Sequence, residues 1–183
     1  VDSMDYMFNG CSSLTSLDVS GFNASQVYGM GYMFNGCSSL TSLDLSGLIS
    51  NRDKLRYLNC SNTFNGCSSL TSLNLSCLYN SRVSYMDNMF KGCVKLTSLD
   101  LSDLNTKDAD DMSFMFDGCT SLESLDLSGW HKTNGYLSVD GMFRNCNSLK
   151  TIRMVDCSQI IVDKIKSALN SANILDQVTI KTY

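Results

Sequence analysis

Apolar residues recur along this chain in a fixed order, and the order itself repeats. Aligned on cysteine, the units centre on Cys11, Cys37, Cys67, Cys93, Cys119 and Cys146, spaced 26, 30, 26, 26 and 27 residues apart. Three residues before each cysteine stands Phe8, Phe34, Phe64, Phe90, Phe116 or Phe143, and seven before stands Met4, Met30, Cys60, Met86, Met112 or Val139. Three and six residues after come Leu14/Leu17, Leu40/Leu43, Leu70/Leu73, Leu96/Leu99, Leu122/Leu125 and Leu149/Ile152. Repetition at such a period marks one supersecondary unit that buries its apolar face by stacking on copies of itself.

Two periodicities lie inside the unit. Val27, Met30, Met33, Phe34 and Cys37 fall at steps of three and four, which predicts a short helix. Ser25, Ser81 and Asp108 occupy the N-cap place of such helices, and Gly10, Gly36, Gly66, Gly92 and Gly118 their C-terminal stop. Leu43-Asp44-Leu45-Ser46 then alternates, which predicts a short strand. Strands stack about 4.8 Å apart whereas helices need roughly 8–10 Å, so a stack of such units is expected to curve with its strands inside. Beyond the repeats, 158–172 carries Ile161, Ile165, Ala168, Leu169 and Ala172 at helical spacing, and 177–183 alternates like a strand. The expected fold is therefore α/β, with about six 26-residue helix–strand units over 1–157. Residues 158–183 close the same domain with a helix and a strand.

The spacing Leu40-Leu43-Leu45 is the Leu-x-x-Leu-x-Leu core of leucine-rich repeats. The whole unit, as in "MFNGCSSLTSLDLSG" at 33–47, resembles the BspA-like leucine-rich repeat of bacterial surface proteins, in a variant with a Met-Phe-x-Gly-Cys block. The resemblance runs along essentially the whole chain. It weakens in the third unit, where Cys60 and Thr63 replace methionines and a four-residue insertion precedes them. It implies a leucine-rich-repeat solenoid, secreted or surface-exposed, of bacteria of the mouth or gut, and a part in adhesion. It supplies no catalytic residue.

Composition narrows this further. The 183 residues are 43% apolar and 17% charged with a formal net charge of −4, which suits one soluble domain. Fourteen basic against 18 acidic residues argue against nucleic acid or an anionic membrane surface as partner. No apolar run approaches the roughly 20 residues of a membrane span, and no signal peptide is visible. Because Val1 falls in the middle of a repeat, the sequence reads as a piece of something longer.

Nine cysteines raise the question of disulfides or metal. Six share one internal slot, Cys60 fills a methionine slot, and Cys157 falls where Phe22, Leu48, Leu78, Leu104 and Trp130 stand. Eight therefore read as small buried apolar residues and free thiols, Cys77 being the exception in a Gly/Asp slot. Neighbouring rungs could still approach disulfide range. With no CxxC and a single histidine, a metal site is poorly supported, and no cofactor is expected.

Outward strand positions form polar ladders. The central one reads Asp18, Asp44, Asn74, Asp100, Asp126, Arg153, flanked by serines such as Ser42 and Ser46. It reads either as a groove for calcium or hydroxyl-rich glycans, or as a solvated face whose Asp and Ser bond one another and nearby backbone. Departures from the repeat offer further candidates. In 49–57 these are Arg52, Lys54 and Arg56, with Tyr57 in an inward valine slot; in 130–136 they are His131 and Lys132, beside a core-slot Trp130. No GxSxG, phosphate loop or HExxH occurs, and six copies of one cysteine do not suit a single active site, so catalysis is not expected. The reading is a monomeric, non-catalytic recognition module that binds a protein or glycan through the repeat surface. The alternatives are a structural spacer that presents another domain, or a calcium- or glycan-binding Asp/Ser array.

Overall fold

The computed structural model describes residues 1–24, 26–48, 57–79, 81–102, 104–133 and 135–183. Its strands are β1 (Ser42–Asp44), β2 (Leu58–Asn59), β3 (Ser72–Asn74), β4 (Val83–Tyr85), β5 (Ser98–Asp100), β6 (Ser124–Asp126), β7 (Thr151–Arg153) and β8 (Thr179–Lys181). The single α-helix among the described residues is α1 (Gln159–Ser171). It lies within the predicted 158–172, and β8 lies within the predicted 177–183.

The helix expected in every unit is absent: each Met-Phe-x-Gly-Cys block is a run of turns. Two left-handed residues per unit are the cause. One lies five places before the cysteine, at Tyr6, Tyr32, Asn62, Asn88, Phe114 and Gly141, with φ of 54–62°. The other lies one place before it, at Gly10, Gly36, Gly66, Gly92, Gly118 and Asn145, with φ of 63–79°. An α-helix cannot run through left-handed residues, so alternate amides swing out of the unit. Met33 N, Asn35 N and Cys37 N donate locally, to the carbonyls of Met30, Tyr32 and Phe34. Between them, Tyr32 N, Phe34 N and Gly36 N donate to Ser61, Thr63 and Asn65 of the next unit at 2.9, 2.9 and 2.7 Å. Successive turns also bring every third or fourth side chain inward, which is why the apolar spacing mimics a helix. The expected N-caps dissolve with it: Ser25 lies outside the described residues, Ser81 N donates to Leu78 O, and Asp108 accepts from Arg82.

With this flank hydrogen-bonded unit to unit, the spacing mismatch that predicted a curved stack has no source there. The Phe8, Phe34, Phe64, Phe90, Phe116 and Phe143 rings stack face to face at 5.3–5.7 Å, within 3–7° of parallel. Each ladder cysteine adds a rung: Cys37, Cys67, Cys93, Cys119 and Cys146 donate Sγ–H to the carbonyls of Phe8, Phe34, Phe64, Phe90 and Phe116 at 3.0–3.3 Å. Burial raises the Cys37 thiol to about 11 and those of Cys67 and Cys146 to about 12, so each keeps its proton at neutral pH. Gly141 shows how tightly the turns nest, because a Cβ there would collide with the Phe114 ring. In the third unit Thr63 replaces methionine, and its hydroxyl lies 2.9 and 2.8 Å from the carbonyl oxygens of Met30 and Cys60.

The strands pair in parallel. β1 joins β3 with Leu43 opposite Leu73, and β5, β6, β7 and β8 form a four-stranded sheet with Leu99, Leu125, Ile152 and Ile180 in one row. A second ladder, not foreseen from the sequence, runs ahead of the Met-Phe blocks through Ser3, Gly29, Asn59, Tyr85, Asp111 and Ser138. Two cysteines depart from their expected burial: Cys11 is exposed at the end of the stack and Cys157 is half-buried. Cys77 is buried after all, within a 3₁₀ turn over Ser76–Leu78. A side chain in this slot is crowded by the preceding unit, since a Cβ at the equivalent Gly47 would lie 2.9 Å from Ser20 Cα. All nine thiols are free.

The aromatic column has a measurable consequence. Phe90, fully buried between Phe64 and Phe116, loses both stacking partners when truncated. Phe90→Ala is expected to lower the unfolding free energy by about 3–5 kcal/mol in urea denaturation; a loss under about 1 kcal/mol would speak against the column as the core.

Candidate functional site

The predicted polar ladder is exposed on the sheet face. Its acids act first on their own chain: Asp18, Asp44, Asn74, Asp100 and Asp126 accept the backbone N–H two residues on, from Ser20, Ser46, Ser76, Ser102 and Ser128, at 2.8–3.0 Å. A short polar side chain at this place closes a turn after each strand. The backbone N–H of Ser20, with its side chain, holds the Asp18 carboxyl below the usual range, and the Ser46 side chain and backbone do the same for Asp44. Burial pushes Asp126 up, but Ser128 and Arg153 outweigh it and the net shift is downward. Ser42 is exposed on β1, opposite Ser72 of β3.

Along β5–β8 the outward row changes sign. Asp100 stands beside Asp126, Asp126 beside Arg153, and Arg153 beside Lys181. Arg153 Nη1 donates to Asp126 Oδ2 at 2.9 Å and to Ser128 Oγ at 3.2 Å. These four side chains, with the hydroxyls of Ser98, Ser124 and Thr151 and with Thr71, Ser72 and Leu73 on the β3 side, line an open hollow of about 450 Å³ on the sheet face. Among the described residues no three His, Cys, Asp or Glu side chains converge to hold a metal ion.

The irregular segments look different from their sequence reading. Arg52, Lys54 and Arg56 lie outside the described residues. Tyr57 is not inward. Leu58 pairs with Val83 and takes the buried slot, while a register shift before Asn59 leaves Tyr57 half exposed. The Arg82 guanidinium sits 4.4 Å above the Tyr57 ring and donates to its hydroxyl at 2.9 Å. His131 is exposed, its backbone N–H donating to Thr106 Oγ1 at 3.0 Å. Lys132 is buried, not presented: its ammonium donates to the Ala109 carbonyl and to Asp110 Oδ1 at 3.2 Å. Trp130 is fully buried with Nε1–H on the Leu101 carbonyl at 2.9 Å.

A second cleft, of about 520 Å³, was missed in the sequence; Tyr57, Tyr85, Asp108, Asp110 and Lys132 line it. Arg82 Nε donates to Asp108 Oδ2 at 2.9 Å beside it. The signal was present as opposite charges one repeat apart. Arg82/Asp108, Lys91/Asp117, Arg144/Asp117, Lys150/Glu123 and Arg153/Asp126 all pair at separations of 26–27 residues.

The depressed carboxylates fix the sign of an acid response. A carboxyl held below 3.8 in the folded protein stabilises it above that pH, and the contribution is lost as pH falls below it. Asp126→Asn keeps the turn, as Asn74 does in its own unit, and removes one titrating group. The urea midpoint of Asp126→Asn is expected to fall less steeply than wild type between about pH 4 and pH 2; parallel curves would contradict this.

No helix among the described residues is long and apolar enough to cross a membrane. No curated protein matches the chain. The profile of a family described as "Mycoplasma protein of unknown function" matches residues 1–55 and 58–182. By this match over nearly all of its length the chain belongs to that family, DUF285.

Proposed function

We propose that the chain is a BspA-like leucine-rich-repeat solenoid that works as a monomeric, non-catalytic recognition module. It serves adhesion as part of a secreted or surface-attached protein and binds a protein or glycan through its sheet face. The observation that carries this reading is the hollow that runs from the edge of β3 over β5–β8, where Asp100, Asp126, Arg153 and Lys181 stand in one register row. A rigid row of alternating outward side chains reads a large or extended ligand, as stacked-repeat surfaces do. The ladder carboxylates support binding over catalysis. Asp44 and Asp126 are held ionised, and neither is pushed up as a general acid needs.

A structural spacer is the second reading, favoured by the continuous unit-to-unit bonding of the turn flank. The calcium or glycan array differs from the main proposal in using the Asp/Ser ladder alone. In it each carboxylate already accepts a turn amide, which leaves part of its coordination for a ligand.

An array of glycans and extracellular-matrix proteins, probed with this chain, separates these readings. Recognition is expected to give at least one binding class, weakened tenfold or more by Arg153→Glu with Lys181→Glu. Binding that this double variant leaves untouched would remove the sheet face from the account. A blank array would favour the spacer, and a calcium-dependent signal abolished by Asp44→Ala with Asp100→Ala would favour the ladder.

A further inference from the structure

The sheet is interrupted once between described strands that follow one another on this face, and the interruption has a definite shape. At each step between paired strands a leucine or methionine amide just past the strand donates to the next unit: Leu45 to Asn74, Leu101 to Asp126, Leu127 to Arg153, and Met154 to Lys181, at 2.7–3.0 Å. Ahead of the strands, Thr71 donates to Thr41, Glu123 to Thr97, Lys150 to Glu123 and Thr179 to Lys150, at 2.8–2.9 Å. Between β3 and β5 neither bond is made. Leu75 N does not reach Asp100 O, and Thr97 N does not reach Thr71 O. Most Cα–Cα pairs between β3 and β5 are more than 8 Å apart, whereas paired strands run roughly 4.8 Å apart.

The same two units remain joined on the other flank. Phe64 N donates to Met89 O at 2.9 Å, Cys93 Sγ to Phe64 O at 3.3 Å, and the Phe64 and Phe90 rings stack at 5.7 Å. The gap is therefore a wedge hinged on the turn side and open on the sheet face. It holds about 190 Å³, with Leu73, Leu75, Leu101 and Leu104 at its floor and Asn74 and Asp100 at its rim. Leu73 is only half-buried, whereas Leu43, Leu99, Leu125 and Ile152 of the same column are buried.

We infer that this wedge receives an extended peptide strand of alternating aliphatic and basic residues from a partner protein. Two facing strand edges offer main-chain donors and acceptors on both sides, the requirement for β-strand addition. Inserting one strand needs about twice the normal strand spacing; β3 and β5 are already parted beyond pairing distance, and the peptide widens the wedge about its turn-side hinge as it enters. An aliphatic side chain fills the leucine floor. The outward neighbours select the charge: Asp44 and Asn74 stand on one side and Asp100 and Asp126 on the other. The sheet already shows how a basic residue answers such a row, because Arg153 of β7 sits opposite Asp126 and bonds its carboxylate at 2.9 Å. The inference rests on the recognition reading and names the partner class for one part of that face.

The strand β7 itself, with the chemistry required, supplies the probe: a peptide Lys-Thr-Ile-Arg-Met-Val, labelled and titrated with the 183-residue protein by fluorescence anisotropy. Saturable binding is expected, weakened tenfold or more when the peptide arginine is replaced by aspartate or when one ladder amide is N-methylated. Leu73→Glu, at a half-buried edge position, is expected to weaken it similarly, and circular dichroism checks that this variant is folded. In hydrogen exchange without peptide, the amides of Leu75 and Thr97 are expected to exchange much faster than those of Leu45 and Glu123. Protection of Leu75 and Thr97 equal to that of Leu45 and Glu123 would show a closed sheet and overturn the inference. So would absence of peptide binding, or equal binding of the N-methylated peptide. Concentration-dependent dimers that protect the same amides would assign the wedge to a second copy of the chain, against the proposal. A protein that still binds array ligands through Arg153 and Lys181 while ignoring the peptide would sink the wedge and leave the recognition reading standing.

Discussion

Every unit of this chain depends on where its amides point. A backbone with inward side chains every third or fourth residue would close its hydrogen bonds on itself as a helix and leave nothing for the next unit. The two left-handed residues per unit prevent that. They hold alternate amides outward, so that one unit is the hydrogen-bonding template for the next, and they bring the phenylalanine rings into a column at 5.3–5.7 Å. The cysteine is drawn into the same scheme. Its thiol is small enough for the interior and donates to the carbonyl of the phenylalanine one unit away. The repeated "MFNGC" block is thus an instruction for stacking, with Phe and Cys as its fixed spacers.

Regular stacking makes the surface predictable as well. A residue one period away in sequence is a neighbour in space, so opposite charges 26–27 residues apart find each other, as in Arg82–Asp108 and Arg144–Asp117. The buried Asp117 gathers Arg144, Lys91 and Asn145 in this way. On the sheet face the carboxylates serve the turns first and a ligand second. Regions where the regular pattern relaxes, at the wedge between β3 and β5 and around Tyr57, are where uncommitted backbone and aromatic surface are offered.

Much of this was legible in the sequence. The unit, its period, the inward slots, the strand leucines and the closing segments all follow from apolar spacing, and Gly10, Gly36, Gly66, Gly92 and Gly118 mark the point where the chain turns, each with a left-handed φ. The helix was not legible as false, because two successive turns and a helical turn space their inward residues alike. The distinguishing sign was the second left-handed slot, and it is filled by Tyr, Asn, Phe and Gly, residue types too varied to announce one conformation. Tyr57 was misplaced because a one-residue register shift at β2 moves Leu58 into its slot. Lys132 was taken for a surface cation because a lysine in a loop usually is one; here Ala109 and Asp110 receive its ammonium inside the fold. The β3–β5 wedge left no trace in the pattern, since Leu73, Asn74 and Leu75 match the repeat and only their hydrogen bonding departs from it.

The direction of the outward amides is open to direct observation. Scalar couplings across hydrogen bonds, measured by NMR on labelled protein, identify the acceptor of each amide. For Phe34, Phe90 and Phe116 the couplings are expected to run to the carbonyl carbons of Thr63, Met115 and Met142 in the following unit. Couplings to Met30, Met86 and Met112, four residues back along the same unit, would mean that each block is a helix after all and would contradict the account.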